Sequence, residues 1–191
     1  TLVSMLKYTA LPGLHGSVGF VASNAGLRSV VLTARNVDET RRWLARQHPE
    51  ARHEERLLTS FQRQLRDYFA GAPVRFDVPL DLQDVTEFQW KVLAACAEVE
   101  YGQTVTYGDL ARRIGKTRAT RAVGAALGRN PVPLVIPCHR VVGCSGGLGG
   151  FSAEQGVRMK RWLLDLEASE RGLTRGRGDA ETRRTRLPAN S

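Results

Sequence analysis

The sequence predicts two units. The first, over residues 5–78, is an α/β unit with a small antiparallel sheet and helices. The second, over residues 85–170, is mainly α and contains a helix-turn-helix. Three observations predict this division. Residues 5–33 hold strand-like runs separated by glycine and asparagine turns, and residues 37–69 switch to helical spacing. Residues 79–84 follow neither rhythm and read as a linker. Beyond them, two short helical stretches flank Gly115-Lys116-Thr117, the layout of a helix-turn-helix.

Each element has its own signal. Residues 5–10, 17–22 and 29–33 alternate in polarity or are rich in β-branched side chains, so they read as strands. Asn24-Ala25-Gly26 is a hairpin-type turn between the last two. Residues 37–47 and 54–69 read as helices. The second carries Leu57, Leu58, Phe61, Leu65, Tyr68 and Phe69 on one stripe, and Gly71-Ala72-Pro73 stops it. A short strand over residues 75–78 is expected to close the unit. In the second unit, Thr86-x-x-Gln89 has the spacing of a capping box, ahead of Phe88, Val92, Leu93 and Cys96 at helical spacing. Residues 104–106 read as a brief extended piece, and residues 107–114 and 118–127 as the paired helices. Ser152-x-x-Gln155 is expected to cap a last helix running to about Ala168. Residues 171–191 are poor in apolar side chains and rich in arginine, and a flexible tail is expected there.

Composition narrows the function. Of 191 residues, 42% are hydrophobic and 25% charged, which is ordinary for a water-soluble globular chain. No apolar run approaches the roughly 20 residues of a membrane span, and residues 1–11 lack the apolar core of a secretory signal. No membrane partner is expected. The three cysteines, Cys96, Cys138 and Cys144, form no CxxC and no paired framework. A reducing compartment fits them, the cytoplasm or, in a eukaryote, the nucleus. His48 and His53 share helical spacing but have no thiolate near them in sequence, so no metal site is expected. The net charge of +9 points to a polyanionic partner. Arg112, Arg113, Lys116, Arg118, Arg121, Arg129 and Arg140 face only Asp109 between residues 107 and 140, so the positive charge runs up to Cys138.

Ile136-Pro137-Cys138-His139-Arg140-Val141-Val142 holds the chemistry. A thiol attacks as thiolate, and nearby positive charge or a base favours that form. His139 and Arg140 are expected to lower the pKa of Cys138, at the end of a short buried strand over residues 133–136. A plain core cysteine is the other reading of the same residues. Neighbouring strand residues point to opposite faces, so contact between thiol and imidazole requires a turn at Pro137-Cys138 or a bridging water. Asp165 and Glu167 are candidate carboxylates to orient the imidazole. The helix Thr120-Arg121-Ala122-Val123-Gly124-Ala125-Ala126-Leu127 is full of small residues that suit close approach to a groove or to another helix. Asn130 lies in the rigid connector Gly128-Arg129-Asn130-Pro131-Val132-Pro133 and is placed to hold that turn by side-chain hydrogen bonds. Residues 143–150 are glycine-rich but lack the lysine and spacing of a phosphate loop.

Asn130-Pro131-Val132-Pro133, Pro137-Cys138-His139-Arg140-Val141, Thr120-Arg121-Ala122-Val123-Gly124 and Trp162-Leu163-Leu164 with Glu167 resemble the O6-alkylguanine-DNA alkyltransferases. The resemblance implies an RNase H-like first unit, a winged-helix-like second unit, and irreversible transfer of an alkyl group from guanine O6 in duplex DNA to Cys138. It implies that His139 takes the thiol proton through a water, that Glu167 orients His139, and that Asn130 braces the turn. Tyr107 would assist the leaving base. Arg121 would fill the space of the flipped nucleotide, with Thr120, Ala122, Gly124, Ala125 and Arg129 at the DNA. Val141, Ser152, Phe151, Pro133 and Trp90 would line the guanine pocket. No metal or cofactor is implied, and the protein is expected to be a monomer acting once. Phe151 stands where many relatives have tyrosine, and Ser152-Ala153-Glu154-Gln155-Gly156 is bulkier than the glycine-rich equivalent, which bears on alkyl-group size. A damage sensor without chemistry, a redox-sensing helix-turn-helix regulator and a cysteine hydrolase are the alternatives. Cys138 argues against the first, and the basic stretch argues against the last.

Overall fold

The computed structural model describes residues 5–83 and 85–169. They fall into two compact units that meet in sequence at about residue 84. The arginine-rich stretch over residues 171–191 lies outside the described residues.

In the first unit, β1 (Lys7–Gly13), β2 (Gly16–Ala22) and β3 (Leu27–Thr33) form an antiparallel meander. The sheet is not purely antiparallel as expected. A two-residue strand, β4 (Arg52–His53), pairs parallel to β1 and makes the order β3-β2-β1-β4. Two residues carry no strand periodicity, and the pairing follows from where α1 (Val37–Gln47) delivers the chain. Asn36 caps α1 in a reciprocal box with Glu39, satisfying two orphan donors. The two faces of β2 separate the helices. Ser17, Gly19 and Val21 face α1: a Cβ on Gly19 would come within 2.8 Å of Leu44 and Thr40, so only glycine lets the helix settle. Phe20 faces the other way and meets Phe61 of α2 (Thr59–Phe69) edge-on, with ring centroids 5.1 Å apart. The helix expected over residues 54–69 begins only at Thr59, because Leu58 is left-handed with φ 48°. The preceding turn is held by Gln62, whose Nε2 donates to the carbonyls of Glu55 and Leu57.

The strand expected over residues 75–78 is absent. Phe76 and Val78 are buried, but pairing occurs later, where Leu27 N donates to Pro79 O and Asp81 N to Leu27 O. Part of the stretch read as a linker is thus fastened to β3.

In the second unit, α3 (Glu87–Ala97) starts at Thr86, whose Oγ1 accepts from Gln89 N. The box is one-sided, because Gln89 Nε2 donates instead to Arg129 O. β5 (Val105–Thr106) leads into α4 (Tyr107–Arg113), where Thr106 and Asp109 complete a full box. Gly115, with φ 69°, turns the chain into α5 (Thr120–Leu127). The strand expected over residues 133–136 is instead a tight turn, in which Ile136 N donates to Val132 O and Leu134 takes φ 74°. A single 3-10 turn, Cys138–Arg140, precedes β6 (Val141–Val142), which pairs parallel with β5. The last helix, α6 (Gly156–Ser169), starts four residues after Ser152, at a glycine with φ 51°, so the Ser152–Gln155 cap does not form. Val157, though apolar, is exposed; Met159, Lys160, Leu163 and Glu167 form the buried row.

Phe61 is 1% exposed and joins Phe20 to Phe76. Phe61→Ala is expected to lower stability by about 3–5 kcal/mol in urea titration, because the rings around it cannot collapse into the space.

Candidate active site

The site is assembled by the turn that ends at Cys138. Pro137 has φ −82° and ψ 62°, an inverse γ-turn in which Cys138 N donates to Ile136 O at 2.8 Å. Arg140 N then donates to Pro137 O at 2.9 Å, closing the 3-10 turn. Cys138, His139 and Arg140 are thereby sent in three directions, all into the interior. The turn required between thiol and imidazole is present.

Cys138 Sγ accepts from Asn130 Nδ2 at 3.1 Å. The same Nδ2 donates to Ile136 O at 2.8 Å, and Asn130 Oδ1 accepts from Val132 N at 3.1 Å. One buried amide thus closes the loop between α5 and the cysteine turn. Burial pushes the Cys138 thiol up, and the Asn130 hydrogen bond and the Lys160 charge only partly offset it. The expected lowering by the His139 imidazole and the Arg140 guanidinium does not occur: His139 lowers the thiol only through its backbone N–H. Arg140 is committed elsewhere, and His139 is itself neutral.

Glu167 shows where Arg140 goes. Its carboxylate accepts from His139 Nε2 at 2.7 Å, from Arg140 Nε at 2.9 Å and Nη2 at 3.0 Å, and from Gly102 N at 2.9 Å. Arg140 Nη1 donates to Val99 O at 2.7 Å, and its guanidinium lies 5.6 Å from the Tyr101 ring centroid. Burial alone would raise the Glu167 carboxyl, but His139 and Arg140 together hold it well below the usual carboxylate range. Burial lowers the His139 imidazole, and the pull of Glu167 in the other direction is outweighed. The reason is countercharge: one carboxylate balances the Arg140 guanidinium and leaves none for an imidazolium. Since an ionised carboxylate only accepts, His139 Nε2 carries the hydrogen, and Nδ1 keeps its lone pair. Of the two candidate carboxylates, Glu167 is the one at His139, and Asp165 is exposed.

Cys138 lies on the wall of a cavity of about 530 Å³. Tyr107, Thr120, Arg121 and Gly124 of the helix-turn-helix form one side; Gly149, Gly150, Phe151 and Ser152 form another. Gly149 has φ 66°, and a Cβ there would meet the Tyr107 hydroxyl at 2.5 Å, so this glycine lets the loop close on the ring. Burial raises the Tyr107 hydroxyl, which stays a donor at neutral pH.

A sequence profile of the 6-O-methylguanine DNA methyltransferase DNA-binding domain matches residues 87–169. The methylated-DNA–protein-cysteine methyltransferase of Methanosarcina acetivorans is 46% identical over 115 residues, which cover 60% of this chain and 72% of that protein. The chain belongs to the methylated-DNA–protein-cysteine methyltransferase family. The inducible methyltransferase of Bacillus subtilis is 38% identical over 151 residues, covering 78% of this chain and 83% of that one. The crystal structure of Mycobacterium tuberculosis O6-methylguanine methyltransferase superposes with a TM-score of 0.73 at 34% identity, over 86% of this chain and 94% of that one. The Mycobacterium tuberculosis OGT crystallised in complex with DNA gives a TM-score of 0.72 at 36% identity, over 85% and 93%.

Against that family, the residues named from sequence divide. Cys138, Tyr107, Thr120, Arg121, Gly124, Phe151 and Ser152 share the cavity wall. His139, Glu167 and Asn130 lie behind it, buried. Ala122, Ala125 and Arg129 are exposed on or beside α5, away from the wall. Val141, Pro133 and Trp90 do not line it: Val141 and Pro133 are buried in the turn and β6, and Trp90 is half-buried on α3. Cys96 is a buried core residue, its thiol pushed well up by burial. Lys160 was missed. It is 0% exposed, and its Nζ donates to Val141 O at 2.6 Å. Its signal was the spacing Lys160, Leu163, Glu167 on one helix face. Among the described residues no helix is long and apolar enough to cross a membrane.

Glu167→Gln is expected to cost about 3–5 kcal/mol in urea titration, because it strands the buried Arg140. Stability should also fall on acidification in two stages. The folded His139 refuses a proton that the unfolded imidazole takes, so stability is lost as pH drops below about 6.5. The Glu167 contribution is complete above the ordinary carboxylate range and is lost below about 4.3. His139→Gln should flatten the first stage and leave the second, as read from unfolding curves taken across pH.

Proposed function

We propose that this chain repairs alkylated guanine in duplex DNA by moving the alkyl group irreversibly from O6 to Cys138. The observation that carries the proposal is the position of the Cys138 thiol. It is buried and held by Asn130, yet forms part of a cavity wall shared with the helix-turn-helix residues Tyr107, Thr120, Arg121 and Gly124. A nucleophile in that place can reach only a base that has left the duplex stack, and such extrusion costs a few kcal/mol. In this reading the α4–α5 pair is the DNA-reading element of a winged-helix-like unit, and the first unit is RNase H-like.

The step is an in-line displacement. The bond from Cys138 Sγ to the alkyl carbon forms as the carbon–O6 bond breaks, and the electron pair of that bond stays on O6. The thiol proton leaves toward His139 Nδ1 by way of a water, and the departing guanine anion takes a proton from solvent at N1 as its O6 becomes a carbonyl. His139 serves as base because Glu167 fixes its hydrogen on Nε2. Tyr107, with its raised hydroxyl, donates to the departing base. The raised Cys138 pKa makes the base necessary, because the resting group is a thiol. A thioether is a poor leaving group, so each molecule acts once. Arg121, exposed at the start of α5, occupies the space vacated by the flipped nucleotide. Thr120, Ala122, Gly124, Ala125 and Arg129 approach the DNA backbone and groove. No metal or cofactor enters any step. The partner is duplex DNA carrying O6-alkylguanine, bound by a monomer in a cytoplasmic or nuclear compartment.

Incubation with O6-methylguanine DNA should add one methyl per protein, found on Cys138 by peptide mass spectrometry. Cys138→Ala should abolish transfer and keep DNA binding. A methyl on another residue, or several turnovers per protein, would overturn the proposal. Arg121→Ala should slow transfer from duplex more than transfer from the free base. Equal losses on the two substrates would remove Arg121 from the extrusion step.

A further inference from the structure

Lys160 is a buried cation in need of an anion. It is 0% exposed on α6, and its Nζ donates to Val141 O and lies 5.7 Å from the centroid of the Tyr107 ring. A carbonyl and a ring face satisfy hydrogen bonds and polarisability, but neither carries the opposite charge that a buried ammonium requires. Among the described residues no carboxylate stands within ion-pair distance of it, and Glu167, two turns along the same helix, is taken by Arg140 and His139. The ionisable groups whose charge acts on Lys160 are Cys138 on the 3-10 turn and Cys96 on α3. His139 feels its charge, and Tyr107 of α4 completes the shell. Arg140 and Arg113 also act on Cys96. Cys96 lies in the core and off the cavity wall, so Cys138 is the acid that can ionise during a reaction.

We propose that Lys160 is a positioning residue for alkyl transfer, a fixed counter-cation placed to hold Cys138 as thiolate once its proton has left. The proposal rests on the function proposed above for Cys138. It assigns to Lys160 the electrostatic role that the sequence suggested for Arg140. The Val141 carbonyl tethers the ammonium three residues beyond the nucleophile, so the charge is in place before substrate arrives and need not reorganise. Burial lowers the Lys160 ammonium, and the Cys138 thiolate raises it again, which is the signature of a coupled pair. Transfer ends that coupling, because a thioether has no charge.

Two measurements test this. The first compares Lys160→Gln, which keeps a donor but loses the charge, with Lys160→Arg, which keeps the charge. The rate of Cys138 carboxamidomethylation by iodoacetamide is followed against pH, with methyl transfer from O6-methylguanine DNA alongside. For Lys160→Gln the midpoint of the iodoacetamide profile should rise by roughly one pH unit, and both reactions should slow about tenfold below it. Lys160→Arg should restore much of the loss. An unmoved midpoint in folded Lys160→Gln overturns the proposal and leaves Lys160 as a tether for Val141.

The second needs no variant. The Lys160 side-chain carbon next to Nζ is titrated by NMR in the native protein and after capping Cys138 with methyl methanethiosulfonate. Lys160 should lose its proton at lower pH in the capped protein; identical titrations overturn the proposal. Since neither iodoacetamide nor the cap involves DNA, absence of methyl transfer with the coupling intact would count against the proposed function and not against the pair.

Discussion

The Glu167 carboxylate is the constraint on which the rest of the active-site unit depends. It gathers His139 and Arg140 from the 3-10 turn and the Gly102 amide from the loop after α3, and it delivers them to α6. A buried ion pair of this kind is weak evidence for stability, since desolvation offsets much of the attraction. Its value here is specificity. Three segments distant in sequence have one arrangement in which every buried charge and amide around the carboxylate is satisfied. That arrangement turns His139 away from solvent, fixes its hydrogen on Nε2 and leaves Cys138 directed toward the cavity. The same economy of charge makes His139 neutral, because Arg140 already consumes the single negative charge available.

A second constraint acts on the other side of the thiol. Asn130 binds Val132, Ile136 and Cys138 with one amide, joining the end of α5 to the nucleophile. The end of α5 and the Cys138 thiol are therefore linked by a loop of about ten residues with three prolines, Pro131, Pro133 and Pro137, and little freedom. Burial holds the thiol protonated, and the pieces that can ionise it are supplied from behind. In the proposed transfer His139 receives the proton, and Lys160 stands by the anion.

Much of this was legible in the sequence because the informative residues lie close together. Asn130, Cys138 and His139 fall within ten positions, and the glycine and proline punctuation around them marks turns. The α1 bounds, the Thr86 cap and the helix-turn-helix followed from spacing and capping chemistry. Tyr107 was reached through resemblance, and so was the choice of Glu167 over Asp165, since nothing local ties residue 167 to residue 139. The misses have physical causes. β4 is two residues long and owes its pairing to the path of the chain. Val141, Pro133 and Trp90 were placed in the pocket by resemblance, but the first two are buried in β6 and in the turn before Pro137, and Trp90 is half-buried on α3. The activating role given to Arg140 failed because charge near a thiol in sequence can be spent on a carboxylate in space. Lys160 was overlooked because a lysine in an amphipathic helix reads as surface, and only its register with Leu163 and Glu167 places it inside.

The central claim is that Glu167 holds His139 as a neutral base with its hydrogen on Nε2. Nitrogen-15 NMR of the His139 ring in the unmodified protein tests it most directly. The account predicts a neutral Nε2–H tautomer at pH about 7, persisting below the ordinary imidazole value of about 6.5. An imidazolium at neutral pH, or a hydrogen on Nδ1, would contradict it.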